Sequence, residues 1–196
     1  MNRVIRSGAI ALTTAVATYG YTVVDANPAE AYHFFSANCR WDHTTVTVAN
    51  LAYSQAGYGA GWDSMMTAWN NTVAEVEFKA VGSGDKDQAD FKVVADYYGN
   101  IGWYGNADKS NVCTNGHYPN GVQHITAQVN RSLTDGRPNN NNNAVLTHEL
   151  GHTIGLAHMN VLENPYVIMY DGIGYDYRGI WLPQTDDIDG ALVRYF

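Results

Sequence analysis

The 196 residues carry 11 lysines and arginines against 19 aspartates and glutamates, a net charge of −8 with histidine counted neutral. A chain of this length builds one domain with a sizeable core. An acidic surface without a basic run excludes nucleic acid and anionic membranes as expected partners.

Residues 1–31 read as a secretory leader. Arg3 and Arg6 form its basic start, and Ala9 to Val24 form a mildly apolar stretch broken by Thr13, Thr14 and Thr22. Ala29-Glu30-Ala31 is a small-residue cleavage site before Tyr32. The apolar stretch is too short and too polar for a membrane span, and no other segment approaches one. The expectation is an exported, soluble mature protein of residues 32–196, acting as a monomer. Losing the leader removes two basic and two acidic residues and leaves the net charge at −8. In an oxidising compartment Cys39 and Cys113 are expected to pair across a long loop, two free thiols being the alternative.

The alternating Thr and Val from His43 to Val48 predict a first strand. After the turn-rich Gly57 to Gly61, Trp62, Met65, Met66 and Trp69 recur at helical spacing and predict a helix with a core-facing stripe. Ala74, Val76, Phe78 and Ala80 alternate with charged residues, and Phe91, Val93, Ala95 and then Ile125, Ala127, Val129 repeat the pattern of a half-buried strand. Between the last two, Tyr97 to Asn120 reads as irregular loops with one edge strand near Trp103-Tyr104. Asn139 to Asn143, after Pro138, reads as a flexible loop whose last Asn caps the next helix. A final helix is expected from Thr185, with Thr185 as its N-cap and Asp186 and Asp187 favouring the helix dipole.

The densest chemistry is His148-Glu149-Leu150-Gly151-His152-Thr153-Ile154-Gly155-Leu156-Ala157-His158, which holds three of the seven histidines. His148 and His152, four apart, fall on one helix face and can share a tetrahedral zinc. Glu149 lies roughly 100° round the helix, beside the metal, where a general base belongs. A continuing helix would carry His158 about 9 Å along the axis from His152. It can ligate only if the chain turns first, and Gly155 accepts the positive φ that such a turn needs. Three protein ligands leave a fourth position open, the arrangement of a catalytic zinc and of peptide hydrolysis. His117 and His124 read as ordinary surface residues, lacking the Asp and third His of a second site, with a second zinc there as the alternative. Nothing in the sequence supports calcium, although a calcium requirement stays open.

These residues resemble the metzincins and, within them, the matrixins. Val167-Ile168-Met169-Tyr170, with Met169 eleven residues after His158, looks like the Met-turn. Leu182 to Gly190 is similar to the start of the matrixin C-terminal helix. The resemblance implies an α+β fold with a twisted, mostly parallel sheet, an active-site helix and a C-terminal helix. It places Met169 as an apolar floor beneath the imidazoles and Tyr170 as a bystander. An extended protein or peptide substrate would pair with an edge strand around Trp103 to Ala107. Relatives use one of the paired aspartates to anchor a processed N-terminus, for which Tyr32 is the candidate. Met159 after the third histidine, and Asp171-Gly172-Ile173 after the Met-turn, depart from the matrixin pattern. The expected activity is that of a secreted zinc endopeptidase with Glu149 as base and then acid. The alternatives are a zinc amidase acting on cell-wall peptide and a catalytically silent zinc-binding interaction protein.

Overall fold

Alternation with a period of two runs through every central strand, so one sheet face is apolar and the helices gather there. The computed structural model describes residues 32–35, 39–108, 113–119, 125–160, 162–171 and 178–196. The expected leader and His124 lie outside the described residues. In chain order the elements are β1 (His33–Phe34), β2 (Thr45–Asn50), α1 (Tyr58–Asn70), β3 (Glu77–Ala80), β4 (Phe91–Asp96), β5 (Gly105–Asp108), β6 (Thr126–Asn130), α2 (Arg131–Thr134), α3 (Asn139–Thr153), β7 (Leu156–Ala157) and α4 (Thr185–Tyr195).

The main sheet has the order β3-β2-β4-β6-β5. β2 is parallel to β3 and to β4, and β4 is parallel to β6. β5 closes one edge antiparallel to β6, with Gly105 opposite Val129. The fold is therefore α+β around a mostly parallel five-stranded sheet. Val46, Val48, Phe78, Phe91, Val93, Ala127 and Val129 are buried on the strands, while Thr45, Glu77 and Lys79 are exposed. The edge strand begins one residue past Tyr104, close to its predicted place.

α1 buries Trp62, Met65, Met66 and Trp69, the stripe legible from helical spacing. Two indoles then fix α3. Trp69 Nε1 donates to the carbonyl of Thr147 at 3.1 Å, and Trp41 Nε1 donates to that of Thr153 at 3.0 Å. Every residue of α3 from Ala144 to Thr153 is buried. Buried tryptophans need a partner for their N–H, and these two use it to hold the helix by its backbone.

Two sequence expectations need correction. Asn139 to Asn143 is not a loop but the first turn of α3, and Pro138 rather than Asn143 stands at the N-cap. The Pro138 carbonyl accepts from the N–H groups of Asn141 and Asn142 at 3.0 and 3.3 Å, and Asn142 Nδ2 donates to Thr134 O at 3.1 Å. Packing of the buried part of the helix carries it back over residues of poor helix propensity. The last helix has Gln184, not Thr185, as its N-cap. Asp187 reaches back to accept the Gln184 N–H at 2.8 Å, which fixes the helix start one residue earlier.

Cys39 and Cys113 are disulfide-bonded, 74 residues apart in sequence. The bond ties the segment before β2 to the stretch between β5 and β6. No helix among the described residues is long and apolar enough to cross a membrane. A closed loop of this length removes chain entropy worth about 4 kcal/mol in the unfolded state. Reduced and alkylated protein is expected to be less stable by that order in urea titrations, and equal stability of the two forms would contradict this.

Candidate metal centre

α3 ends at Thr153, two residues before a glycine with φ of +97°. A Cβ at Gly155 would lie 2.6 Å from the carbonyl oxygen of Cys39, so the turn needs glycine both for its backbone conformation and for room. From that turn the chain runs back as β7, pairing antiparallel with β1 so that Phe34 lies opposite Leu156 and His33 opposite Ala157. His158 follows directly. The Met159 N–H donates to Met169 O at 2.7 Å, and the Asp171 N–H donates to Met159 O at 2.8 Å. This short parallel bridge between Met159 and Tyr170 draws the third histidine alongside the Met-turn.

The three imidazoles converge. His158 Nε2 lies 3.0 Å from His152 Nε2 and 3.0 Å from His148 Nε2. Among the described residues these three form the group of metal-ligating side chains whose ligand atoms all fall within 4.8 Å of one another. Tetrahedral zinc with Zn–N of about 2.0–2.1 Å sets its ligand nitrogens about 3.3–3.4 Å apart, close to what these rings present.

The opposite ring nitrogens decide the chemistry. His148 Nδ1 lies 2.7 Å from Ile168 O, and His152 Nδ1 lies 2.8 Å from Leu156 O. A carbonyl oxygen only accepts, so each Nδ1 donates and each Nε2 is left as a bare lone pair. His158 Nδ1 sits 3.3 Å from the carboxylate of Asp171, which selects the same tautomer. Three lone pairs aimed at one point repel unless a cation lies between them. The donor set therefore fits zinc and is the kind of oriented ligation that outer partners enforce.

Glu149 is buried on the same helix, between two of the ligating positions and next to β5. Met169 is buried with its sulfur against Gly151, one residue before His152. The ring of Phe35 lies 5.4 Å from that of His152. Tyr170 stacks under the guanidinium of Arg178 at 4.6 Å. His117 pairs through its backbone with Thr114 and Arg40, away from the cluster.

Asp187 holds the Met-turn. It accepts the N–H groups of Ile168 at 2.9 Å and Met169 at 3.1 Å in addition to that of Gln184. Burial lifts its carboxyl to about 6, against the pull of those three donors. Its two oxygens accept all three bonds. Met169 offers its N–H to Asp187, and the carbonyl of the same peptide group, that of Ile168, accepts from His148, so the aspartate acts on the His148 ring through one peptide unit.

Sequence reasoning did not assign Asp171 to His158, nor the carbonyls of Ile168 and Leu156 to the other two rings. Carbonyl groups leave no mark in a sequence. Asp171 stands in a segment that departs from the matrixin pattern, so nothing upstream pointed to it.

The family model described as a dual-action HEIGH metallo-peptidase matches residues 23–166. The chain belongs to that family, and it is a zinc metallopeptidase of the metzincin type. The five letters of the description spell His-Glu-Ile-Gly-His, and here His148-Glu149-Leu150-Gly151-His152 stands in that pattern with leucine third. No curated protein matches the chain.

Asp187→Asn keeps size but turns an amide N–H₂ toward backbone donors, so at least one bond to the Met-turn is lost. Loss of such an outer partner costs typically about 10–100-fold in metal affinity. Zinc competition with a chromophoric chelator is expected to show a drop of that order in Asp187→Asn. Unchanged affinity in the folded variant would show that the Met-turn does not orient His148.

Proposed function

We propose that this metallopeptidase is an exported endopeptidase with a single catalytic zinc held by His148, His152 and His158, and with Glu149 as general base and then general acid. The observation that carries the reading is that His158 Nε2 lies 3.0 Å from the Nε2 atoms of both His148 and His152, beside a buried carboxylate on the helix that carries those two. When bound, the zinc supplies a Lewis acid that lowers the pKa of water toward neutrality and draws charge from the scissile carbonyl.

The chain's own residues do the rest. Ile168 O, Leu156 O and Asp171 keep the three rings facing inward. Glu149 takes the proton of the attacking water and delivers it to the leaving nitrogen, one carboxylate serving both steps. β5 is an edge strand, and β6 occupies one of its sides. Its other side offers backbone donors and acceptors to an extended peptide, which supports binding by strand addition.

Export is supported by the disulfide, a bond that persists in oxidising compartments. The reading of residues 1–31 as a leader makes Tyr32 the first mature residue. Tyr32 lines one small cavity together with Leu156, Met169 and Asp187, and its Cβ packs against Gly190 of α4. That placement supports a mature chain whose start is seated under the metal site. The Met-turn and the Asp186-Asp187 pair support a matrixin-like subtype, and Met159 with Asp171-Gly172-Ile173 marks this chain as a distant one.

Glu149→Gln keeps shape and hydrogen bonding but cannot accept the proton. On an unstructured protein substrate it is expected to lose at least about 10²–10⁴-fold in rate with its zinc content intact. Equal activity of parent and variant would remove Glu149 from the mechanism. Zinc-loaded parent that leaves casein uncut would overturn the endopeptidase reading, in favour of an amidase if cell-wall peptide is cleaved and of a binding protein if it is not.

A further inference from the structure

β5 and α3 touch at one point without room to spare. A Cβ at Gly105 would lie 2.6 Å from Val145 Cγ1 and 2.7 Å from Glu149 Cγ, and it would also run into Glu149 Oε1. Gly105 is not among the residues with positive φ, so glycine is needed here for space and not for backbone conformation.

The neighbours differ in what they can give. Val145 is fully buried inside α3, where a β-branched side chain has one strongly preferred rotamer. The strand cannot retreat either. Asn130, fully buried, donates its backbone N–H to Tyr104 O at 2.7 Å, and its side-chain amide donates to Gly99 O at 2.8 Å and Trp103 O at 3.2 Å. From Gly105 onward β5 is paired to β6. The group left to move is the Glu149 side chain. None of the three imidazoles is among the nearest neighbours of that added Cβ.

We propose that Gly105 is a positioning residue for the proton-transfer step: its bare backbone is the wall against which the Glu149 carboxylate is seated. The same edge strand then borders the cleft and sets the place of the base. The proposal rests on Glu149 being that base. A methyl group at position 105 pushes the carboxylate aside and leaves the metal ligands where they are. A misplacement of about 1 Å costs as much as about 10²-fold in rate, and here the loss falls on kcat alone.

The experiment is a mutant cycle on the zinc-loaded protein, with kcat, KM and zinc content measured for the parent, Gly105→Ala, Glu149→Ala and the double variant. Gly105→Ala is expected to lower kcat roughly 10- to 100-fold with KM and zinc content unchanged. In the Glu149→Ala background, where no atom beyond Cβ is left to be pushed aside, the same alanine is expected to change the residual kcat by less than about twofold, the signature of coupled neighbours. Equal losses in both backgrounds, a rise in KM at constant kcat, loss of zinc, or no effect would each overturn the proposal. If Gly105→Ala fails to fold, Gly105→Ala/Val145→Ala is measured against Val145→Ala and judged by the same readings. Failure of the underlying reading is distinguishable, because Glu149→Ala alone would then retain the parent's kcat.

Discussion

The organisation of the site depends on one electrostatic arrangement: three imidazoles turned so that their Nε2 lone pairs face each other. That geometry is unfavourable for the bare rings and favourable around a cation. It is imposed from outside the cluster, because each Nδ1 is committed to an acceptor on a different segment. Ile168 belongs to the Met-turn, Leu156 to β7, and Asp171 to the stretch that follows the Met-turn. The orientation of the rings is in this sense set by the segment from Leu156 to Asp171, although His148 and His152 themselves stand on α3.

Between β7 and α4 little regular structure appears among the described residues, so the precision of that segment comes from backbone pairing and buried polar groups. β1 lies across β7, Met159 bridges Tyr170, and Asp187 gathers the N–H groups of Ile168, Met169 and Gln184. Arg194, buried on α4, donates through Nε to Cys39 O at 3.1 Å, beside the Gly155 turn. Burial lowers its pKa from the usual guanidinium value. The disulfide therefore anchors a segment that itself packs on the turn between the second and third histidines. A sheet and two helices supply one half of the site, and this hydrogen-bonded segment supplies the other.

Much of this was legible because it is periodic or local. The strands through Phe78, Phe91 and Ala127, the Trp62–Trp69 stripe, and the His148–His158 spacing each repeat a physical period or meet a ligand geometry. In the Asn139–Asn143 run low helix propensity is a local signal, and packing of Ala144 to Thr153 overrides it. The N-cap of α4 was misplaced by one residue because the cap is made by a side chain reaching back from Asp187, not by the hydroxyl of Thr185. The reason for Gly105 lies 44 positions away in Glu149. Contacts across such a span carry no sequence period, and without them the partners of the three rings could not be assigned.

The central claim is that the three Nε2 atoms share one metal ion and leave one position open to water. X-ray absorption of the zinc-loaded protein, with metal content measured on the same sample, tests it most directly. The account predicts one zinc per chain with three imidazole nitrogens at about 2.0–2.1 Å and one further light oxygen ligand. A closed shell of four protein ligands, sulfur in the first shell, or a stoichiometry near zero after loading would contradict it.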